Sequence, residues 1–179
     1  FYLPLTGSAF KKVYYDELLG RAVSKFIQAE DLIVPYTASS LEDADAIVHV
    51  IKISENDLRK QQVGGFYRDI ELGDPPINEN QVKAKQLELE GVTANDQQRE
   101  SMYTLLEVHT DLDLEDYPDV NENEEPTGIK LPYIITIDET SQQVLSIRRN
   151  YEPEDPLKKK KNYFVQFKFL PGTGFYGFG

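Results

Sequence analysis

The longest alternating run in the chain, MYTLLEVHTDLDL at residues 102–114, constrains the fold more than any other feature. Side chains of a β-strand point alternately to opposite faces, so this run predicts a strand with two chemically different faces. One face carries Thr104, Leu106, Val108, Thr110, Leu112 and Leu114. The other face carries Glu107, His109, Asp111 and Asp113. We expect the acidic face to meet solvent, since acidic side chains are rarely buried.

Further strand-like runs surround this one. They lie at residues 9–15 and 21–28, which flank a turn at 16–20, and at 31–36, 46–53, 131–138, 143–150 and 162–170. Residues 46–53 are apolar on both faces and predict a central strand. Pro35 places residues 31–36 at a sheet edge or a strand end. The connectors at 139–142 and 151–161 suit antiparallel neighbours.

Two helices are predicted between the strand groups. Ser54-Glu-Asn-Asp57 has the spacing of a capping box, with Asp57 in place of the usual Glu or Gln, and Gly64-Gly65 should end the helix that follows. Residues 78–90 are polar and predict an exposed second helix. The fold class is therefore α+β, mostly antiparallel, within one fragment at 1–179. It divides into a strand group at 1–53, a helical insert at 54–99, a strand group at 100–170 and a closing segment at 171–179.

Composition excludes several classes of protein. The chain has 179 residues and no cysteine, which excludes disulfides and thiolate metal sites. Its net charge of -12 opposes simple electrostatic binding of nucleic acid. No apolar run approaches the roughly 18 residues that a membrane-spanning helix needs. The ends of the chain, at Phe1 and in an aromatic and glycine-rich stretch, lead us to expect a piece of a longer polypeptide.

The closing segment contains Gly172-x-Gly174-x-x-Gly177, the spacing of a dinucleotide-binding loop. That loop requires a parallel βαβ unit, a helix that starts at the glycines and an acidic residue about 20 positions later. Here the preceding strand is predicted to be antiparallel, and Pro171 interrupts the junction. The pattern therefore predicts a tight turn with glycine freedom, and no nucleotide or other cofactor is expected.

The acidic row offers an alternative function. Glu107, His109, Asp111 and Asp113 carry ligand atoms that a divalent cation can use, so a metal-dependent enzyme or binder is the second hypothesis. A calcium-binding hand at 119–123 is excluded, because Glu124 stands where glycine is needed and Lys130 where a bidentate Glu is needed.

No other catalytic arrangement stands out. His49 lies inside an apolar run and is interpreted as a hydrogen-bonded core residue, and no enzymatic activity is expected. The basic run Lys158, Lys159, Lys160 and Lys161 predicts a solvated hairpin loop that could contact phosphates or a neighbouring subunit. A third hypothesis, peptide binding by strand addition, requires a long exposed sheet edge.

An ordered set of stretches resembles the portal (head-to-tail connector) proteins of tailed bacteriophages. The stretches are FYLPLTGSAFKKVYYD at 1–16, AEDLIVPY at 29–36 with SLED at 40–43, NDLRK at 56–60 with GFYRD at 65–69, LEVHTDLDL at 106–114, LPYIITID at 131–138, IRRNY at 147–151 and KFLPGTGFYGFG at 168–179. The resemblance runs the length of the chain and is weakest around 78–91 and in the acidic loop, residues 115–128.

The resemblance implies a structural subunit of a ring, usually of twelve copies, at one vertex of the virion capsid. DNA is packaged and ejected through the channel of such a ring. Capsid protein, terminase and tail adaptor would be partners of the whole protein, which would assemble in the host cytoplasm without a membrane. This chain would be most of the wing region, and Gly172, Gly174 and Gly177 would form a hinge into the stem.

Overall fold

A computed structural model describes residues 2–16, 20–73, 102–121, 123–172 and 174–179, and these form two antiparallel sheets with two helices. In chain order the elements are α1 (Tyr2–Thr6), β1 (Ser8–Asp16), β2 (Arg21–Ile27), β3 (Leu32–Ile33), β4 (Ala46–Ser54), α2 (Glu55–Val63), β5 (Met102–Leu112), β6 (Leu131–Asp138), β7 (Val144–Arg149) and β8 (Phe164–Lys168). Sheet A has the order β2-β1-β8, and sheet B has the order β3-β4-β5-β6-β7. The predicted α+β, mostly antiparallel class is confirmed.

Each sheet combines strands from both ends of the chain. In sheet A the hairpin β1–β2 pairs with β8, and in sheet B β4 pairs with β5. The prediction that the connector at 151–161 joins antiparallel neighbours is wrong, because β7 belongs to sheet B and β8 to sheet A. A connector long enough for a loose hairpin is also long enough to cross from one sheet to the other.

The predicted hairpin and the predicted helix cap are confirmed. The β1–β2 hairpin forms, and β4 lies between β3 and β5 as a central strand requires. The third predicted strand is shorter than expected, only Leu32–Ile33. The hydroxyl of Ser54 accepts from the Asp57 amide at 3.2 Å, and α2 ends at Val63 with Gly64 as its C-cap.

The second predicted helix, residues 78–90, lies outside the described residues. Helix α1 was not predicted from the sequence. No helix among the described residues is long and apolar enough to cross a membrane.

The sheets pack face to face over part of sheet B. One core cluster joins them, with Phe10 and Phe164 from sheet A against Ile47 from sheet B. The rest of that face of sheet B is covered by α2 and the chain that follows it, through Leu58 and Tyr67. Sheet A therefore lies on the end of sheet B where Glu107 and His109 are.

The closing segment folds back onto the start of β1. Leu170 and Phe178 form an antiparallel bridge, the Phe175 ring stacks on Phe10 with centroids 5.8 Å apart, and the Tyr176 hydroxyl donates to the Leu32 carbonyl at 2.8 Å. The Phe169 amide donates to the Gly7 carbonyl at 3.0 Å. The two ends of the described chain consequently lie side by side.

Candidate functional site

The main polar cluster between the sheets is centred on the Glu107 carboxylate. Strand β1 places Lys12 opposite β5, and the Lys12 ammonium donates to both carboxylate oxygens, with a distance of 2.7 Å to Oε2. The side chains of Lys12 and Glu107 are only 14% and 10% exposed. We call Lys12, Glu107, His109 and His49 the inter-sheet charge cluster.

The two histidines complete this cluster. His109 Nε2 lies 2.9 Å from Glu107 Oε1, and His49 Nδ1 lies 3.7 Å from the same oxygen. The Phe164 ring packs edge-on against both imidazoles, with centroid distances of 5.0 Å to His109 and 5.9 Å to His49. The Phe164 ring of sheet A thus covers the polar side chains that sheet B contributes to the cluster.

The electrostatics keep Glu107 ionised. Burial alone would raise the pKa of Glu107, but the hydrogen bond from His109, the contact with His49 and the Lys12 ammonium outweigh it and hold the pKa far below its usual range. A carboxylate whose pKa is this low is a poor proton acceptor near neutral pH.

The same environment keeps His109 neutral. Burial lowers the pKa of His109, and the Glu107 carboxylate only partly opposes this effect. A neutral imidazole can still donate from Nε2 to the carboxylate if the proton is on that nitrogen. The Lys12 ammonium and the Glu107 carboxylate then form a pair of opposite charges that neutralise each other.

The cluster is built to join two sheets. Both Glu107 oxygens already accept hydrogen bonds within the protein, because Lys12 contacts both of them and His109 also donates to one. Among the residues that the structure describes, no three His, Cys, Asp or Glu side chains lie in an arrangement that could hold a metal ion. The cation beside Glu107 in this structure is the Lys12 ammonium.

The four residues of the acidic row lie in two different environments. Asp111 and Asp113 are exposed, as expected for a solvated face. The same expectation is wrong for Glu107 and His109, which are 7% and 3% exposed. Sheet A covers that end of the face, and nothing in the alternation of β5 indicates where a second sheet will lie.

His49 is only partly as predicted. It lies in the packed interface beside Phe164, yet its buried Nδ1 has no hydrogen-bond partner among the described residues. Its relation to Glu107 at 3.7 Å is an electrostatic contact, longer than a hydrogen bond.

The basic run is less solvated than a free loop. The ammonium groups of Lys158, Lys160 and Lys161 contact Asp119, the Ala44 carbonyl and Glu152 respectively. The expectation of a solvated hairpin loop is therefore wrong for Lys158 and Lys160, because each finds an acceptor in another segment, whereas Lys161 pairs with an exposed residue of its own connector. Lys159 is the exposed member of the run. A contact with phosphates or with a neighbouring subunit stays a prediction.

The three glycines of the closing segment have different surroundings. A Cβ on Gly177 would lie 2.5 Å from the Gly7 carbonyl oxygen, and one on Gly172 would lie 3.0 Å from the Tyr176 carbonyl oxygen. Gly174 has no atom within 4 Å of its Cβ position. Nearby backbone atoms therefore leave little room for any side chain at Gly177 and Gly172. Strand β8 is antiparallel to β1, so the context of a nucleotide-binding loop is missing. The hinge role stays a prediction.

Sequence reasoning missed Lys12, which is 95 residues from Glu107. The sequence did contain one indication that a lysine is buried in β1. Lys11 and Lys12 are adjacent in a strand and must point to opposite faces, so a sheet that is covered on one face has to bury one of them. Which residue would neutralise it could not be read from the sequence, because the partner lies in the other sheet.

Comparison with known proteins adds no assignment: no family model matches the chain, and a search of curated proteins finds no match either.

Removing one partner of the ion pair should destabilise the protein strongly. Lys12→Met leaves the Glu107 carboxylate buried without its cation, which costs about 3–5 kcal/mol. The matched control is Lys25→Met, since Lys25 lies opposite Lys12 on β2 but is exposed, and its cost should stay below about 0.5 kcal/mol. Equilibrium unfolding in urea measures both values.

The second step of that experiment removes the carboxylate as well. Lys12→Met combined with Glu107→Gln should recover most of the lost free energy of unfolding, because no uncompensated charge remains. Equal losses in Lys12→Met and Lys25→Met would contradict the assigned role of the pair.

Stability should fall as the solution is acidified from pH 7. The pKa of His109 is lowered in the folded state, so the unfolded chain takes up its proton first as pH falls through the ordinary value of 6.5. The lowered pKa of Glu107 acts in the same direction below its ordinary value of 4.5. His109→Gln keeps a donor for Glu107 and should flatten the loss between pH 7 and pH 5. An unchanged slope in this variant would show that His109 does not titrate as described.

The different surroundings of Gly177 and Gly174 predict unequal losses of stability when each is replaced by alanine. Gly177→Ala should destabilise the protein by about 1–3 kcal/mol through overpacking against backbone atoms, whereas Gly174→Ala should be close to neutral. Thermal unfolding of both variants decides this. Equal, small effects would mean that the closing segment yields easily and would favour the hinge role instead.

Proposed function

We propose that this chain is a structural segment of a portal ring subunit of a tailed bacteriophage, corresponding to most of the wing region. The proposal starts from the ordered resemblance along the chain and gains support from the surface of sheet A. In this role the chain packs against other subunits of the ring at the capsid vertex, through which DNA is packaged and ejected and to which the tail attaches. Its place of action would be the virion.

The observation that carries the proposal is an exposed apolar sheet face. The register places Lys11 beside Phe26 and Val165, and Ala9 beside Phe167, so these residues share one face of sheet A. The opposite face, with Phe10, Lys12 and Phe164, packs on sheet B. We call the exposed one the outer face of sheet A.

Its large apolar side chains are strongly exposed. The exposed fractions are 43% for Val13, 65% for Tyr15, 53% for Phe26, 45% for Val165 and 43% for Phe167. Contiguous apolar surface of this kind marks interaction sites, because isolated soluble domains seldom leave it open to water. A subunit that works by packing against neighbours requires such a surface.

One further feature fits the same role. The inter-sheet charge cluster has its carboxylate occupied by Lys12, as expected for a structural element. This arrangement does not favour the metal-dependent alternative.

Electron microscopy of the full-length protein tests the proposal. Negatively stained particles, sorted by rotational symmetry, should show rings with a central channel and about twelvefold symmetry. Difference imaging with a label on this chain should place it at the outer rim. Compact particles without a channel would contradict the proposal.

A further inference from the structure

We infer that the joint between the two sheets opens in acid, because protonation of His49 and His109 lifts one end of sheet A away from sheet B. The end that lifts is the one next to the β1–β2 turn, residues 14–16 and 21–23, which we call the hairpin end. The joint lies within one chain, so it operates whether or not the chain is a ring subunit.

The face of sheet A that packs on sheet B is basic. The register puts four basic residues and one acidic residue on the same side as Phe10, and these are Lys12, Arg21, Lys25, Lys168 and Asp16. Lys25 lies directly opposite Lys12, and like charges in that position repel each other. The carboxylate that Lys12 contacts comes from sheet B, so electrostatic attraction at this point holds one sheet against the other.

Sheet B meets Lys12 with one carboxylate and two imidazoles. His109 Nε2 lies 2.9 Å and His49 Nδ1 3.7 Å from Glu107 Oε1, which Lys12 also contacts, and these four side chains are at most 14% exposed. With both imidazoles neutral, Glu107 makes this part of sheet B negative. With both protonated, the same part is positive and repels the Lys12 ammonium, so the attraction between the sheets is lost.

The surrounding groups do not offset such a gain of protons. The other titratable or charged groups around the imidazoles and Glu107 are Tyr14 of β1, Tyr67 after α2, Asp111 of β5, Arg148 of β7 and Tyr163 before β8. Burial raises the pKa of Tyr14 and raises that of Tyr67 to about 12, so neither hydroxyl is charged near neutral pH, and Asp111 is exposed to solvent. Within the described part of the chain, Glu107 is the carboxylate in contact with the imidazoles, and Lys12 already neutralises it.

Proton binding therefore favours the open joint. Burial lowers the pKa of His109 in the closed joint, whereas a histidine in water binds a proton as pH falls through about 6.5. The open form takes up the proton first, so acid shifts the balance toward it. For a histidine that is neutral when closed and free when open, the shift between pH 7 and pH 5 is about 25-fold.

Apolar packing holds sheet A on one side of the cluster only. Phe10 precedes Lys12 by two residues in β1 and packs with Phe175 in the core cluster that joins the sheets. On the other side, toward the β1–β2 turn, the inward-facing Tyr14 and Val23 belong to none of the core clusters formed by the described residues. Loss of the Lys12 contact consequently frees the hairpin end, and the Phe10 end acts as the hinge.

Hydroxyl-radical footprinting of the full-length protein at pH 7 and pH 5 tests the joint, with the oxidation of each side chain measured by mass spectrometry. Phe164 lies against both imidazoles and is 7% exposed, so its oxidation should rise more than about threefold in acid. Phe175 at the hinge and Tyr103 in the core beside α2 should stay protected. A rise at Phe175 or Tyr103 equal to that at Phe164 would mean that sheet A detaches as a whole or that the chain unfolds, and would overturn the inference.

Substitution of the histidines tests the cause of the opening. His49→Gln with His109→Gln keeps side-chain amides that donate to Glu107 but cannot become charged, so Phe164 should stay as protected at pH 5 as at pH 7. The matched control Asp111→Asn changes an exposed residue of the same strand and should open as the wild type does.

Two results with these proteins would contradict the acid-opened joint. The first is a wild type in which Phe164 stays protected at pH 5, and the second is an equal rise in the wild type and the double variant. If the double variant lacks the wild-type oxidation pattern at pH 7, His109→Gln alone takes its place. This single variant should open less than the wild type, and equal opening would overturn the inference.

Discussion

The Lys12–Glu107 ion pair is the interaction on which the rest of the structure depends. A carboxylate on the central strand of a sheet is costly to bury, and an ammonium group from a second sheet is what makes its burial tolerable here. The pair therefore fixes which face of sheet A turns inward and where along β5 it lies. Packing of Phe10 and Phe164 follows from that placement, and so does the exposure of the opposite face.

That exposed face links the interior to the proposed role. Because Lys11 and Lys12 are neighbours in one strand, the residue that neutralises Glu107 inside leaves its neighbour outside, among Tyr15, Phe26 and Phe167. One strand thus stabilises the core through one face and presents a largely apolar surface with a single lysine, Lys11, through the other. The long crossings between sheets, including residues 151–161, make both faces depend on contacts that are remote in sequence.

Local signals were predictable from the sequence, and remote ones were not. Patterns within a few residues predict the strand at 131–138, the β1–β2 hairpin and the Ser54 cap of α2. The structure contains all three. The alternation of β5 identified the two sets of side chains correctly but assigned the wrong environment to Glu107 and His109. Alternation reports which side chains share a face, whereas burial depends on what another part of the chain places over that face.

Hydrogen exchange on the assembled and the dissociated full-length protein tests the central claim, the proposal that this chain is a ring subunit joined through the outer face of sheet A. Backbone amides of β2 should exchange more slowly in the assembly, because a neighbouring copy covers them there. Amides of β5, already buried under sheet A, should not change. Equal exchange at β2 in both states would contradict the account.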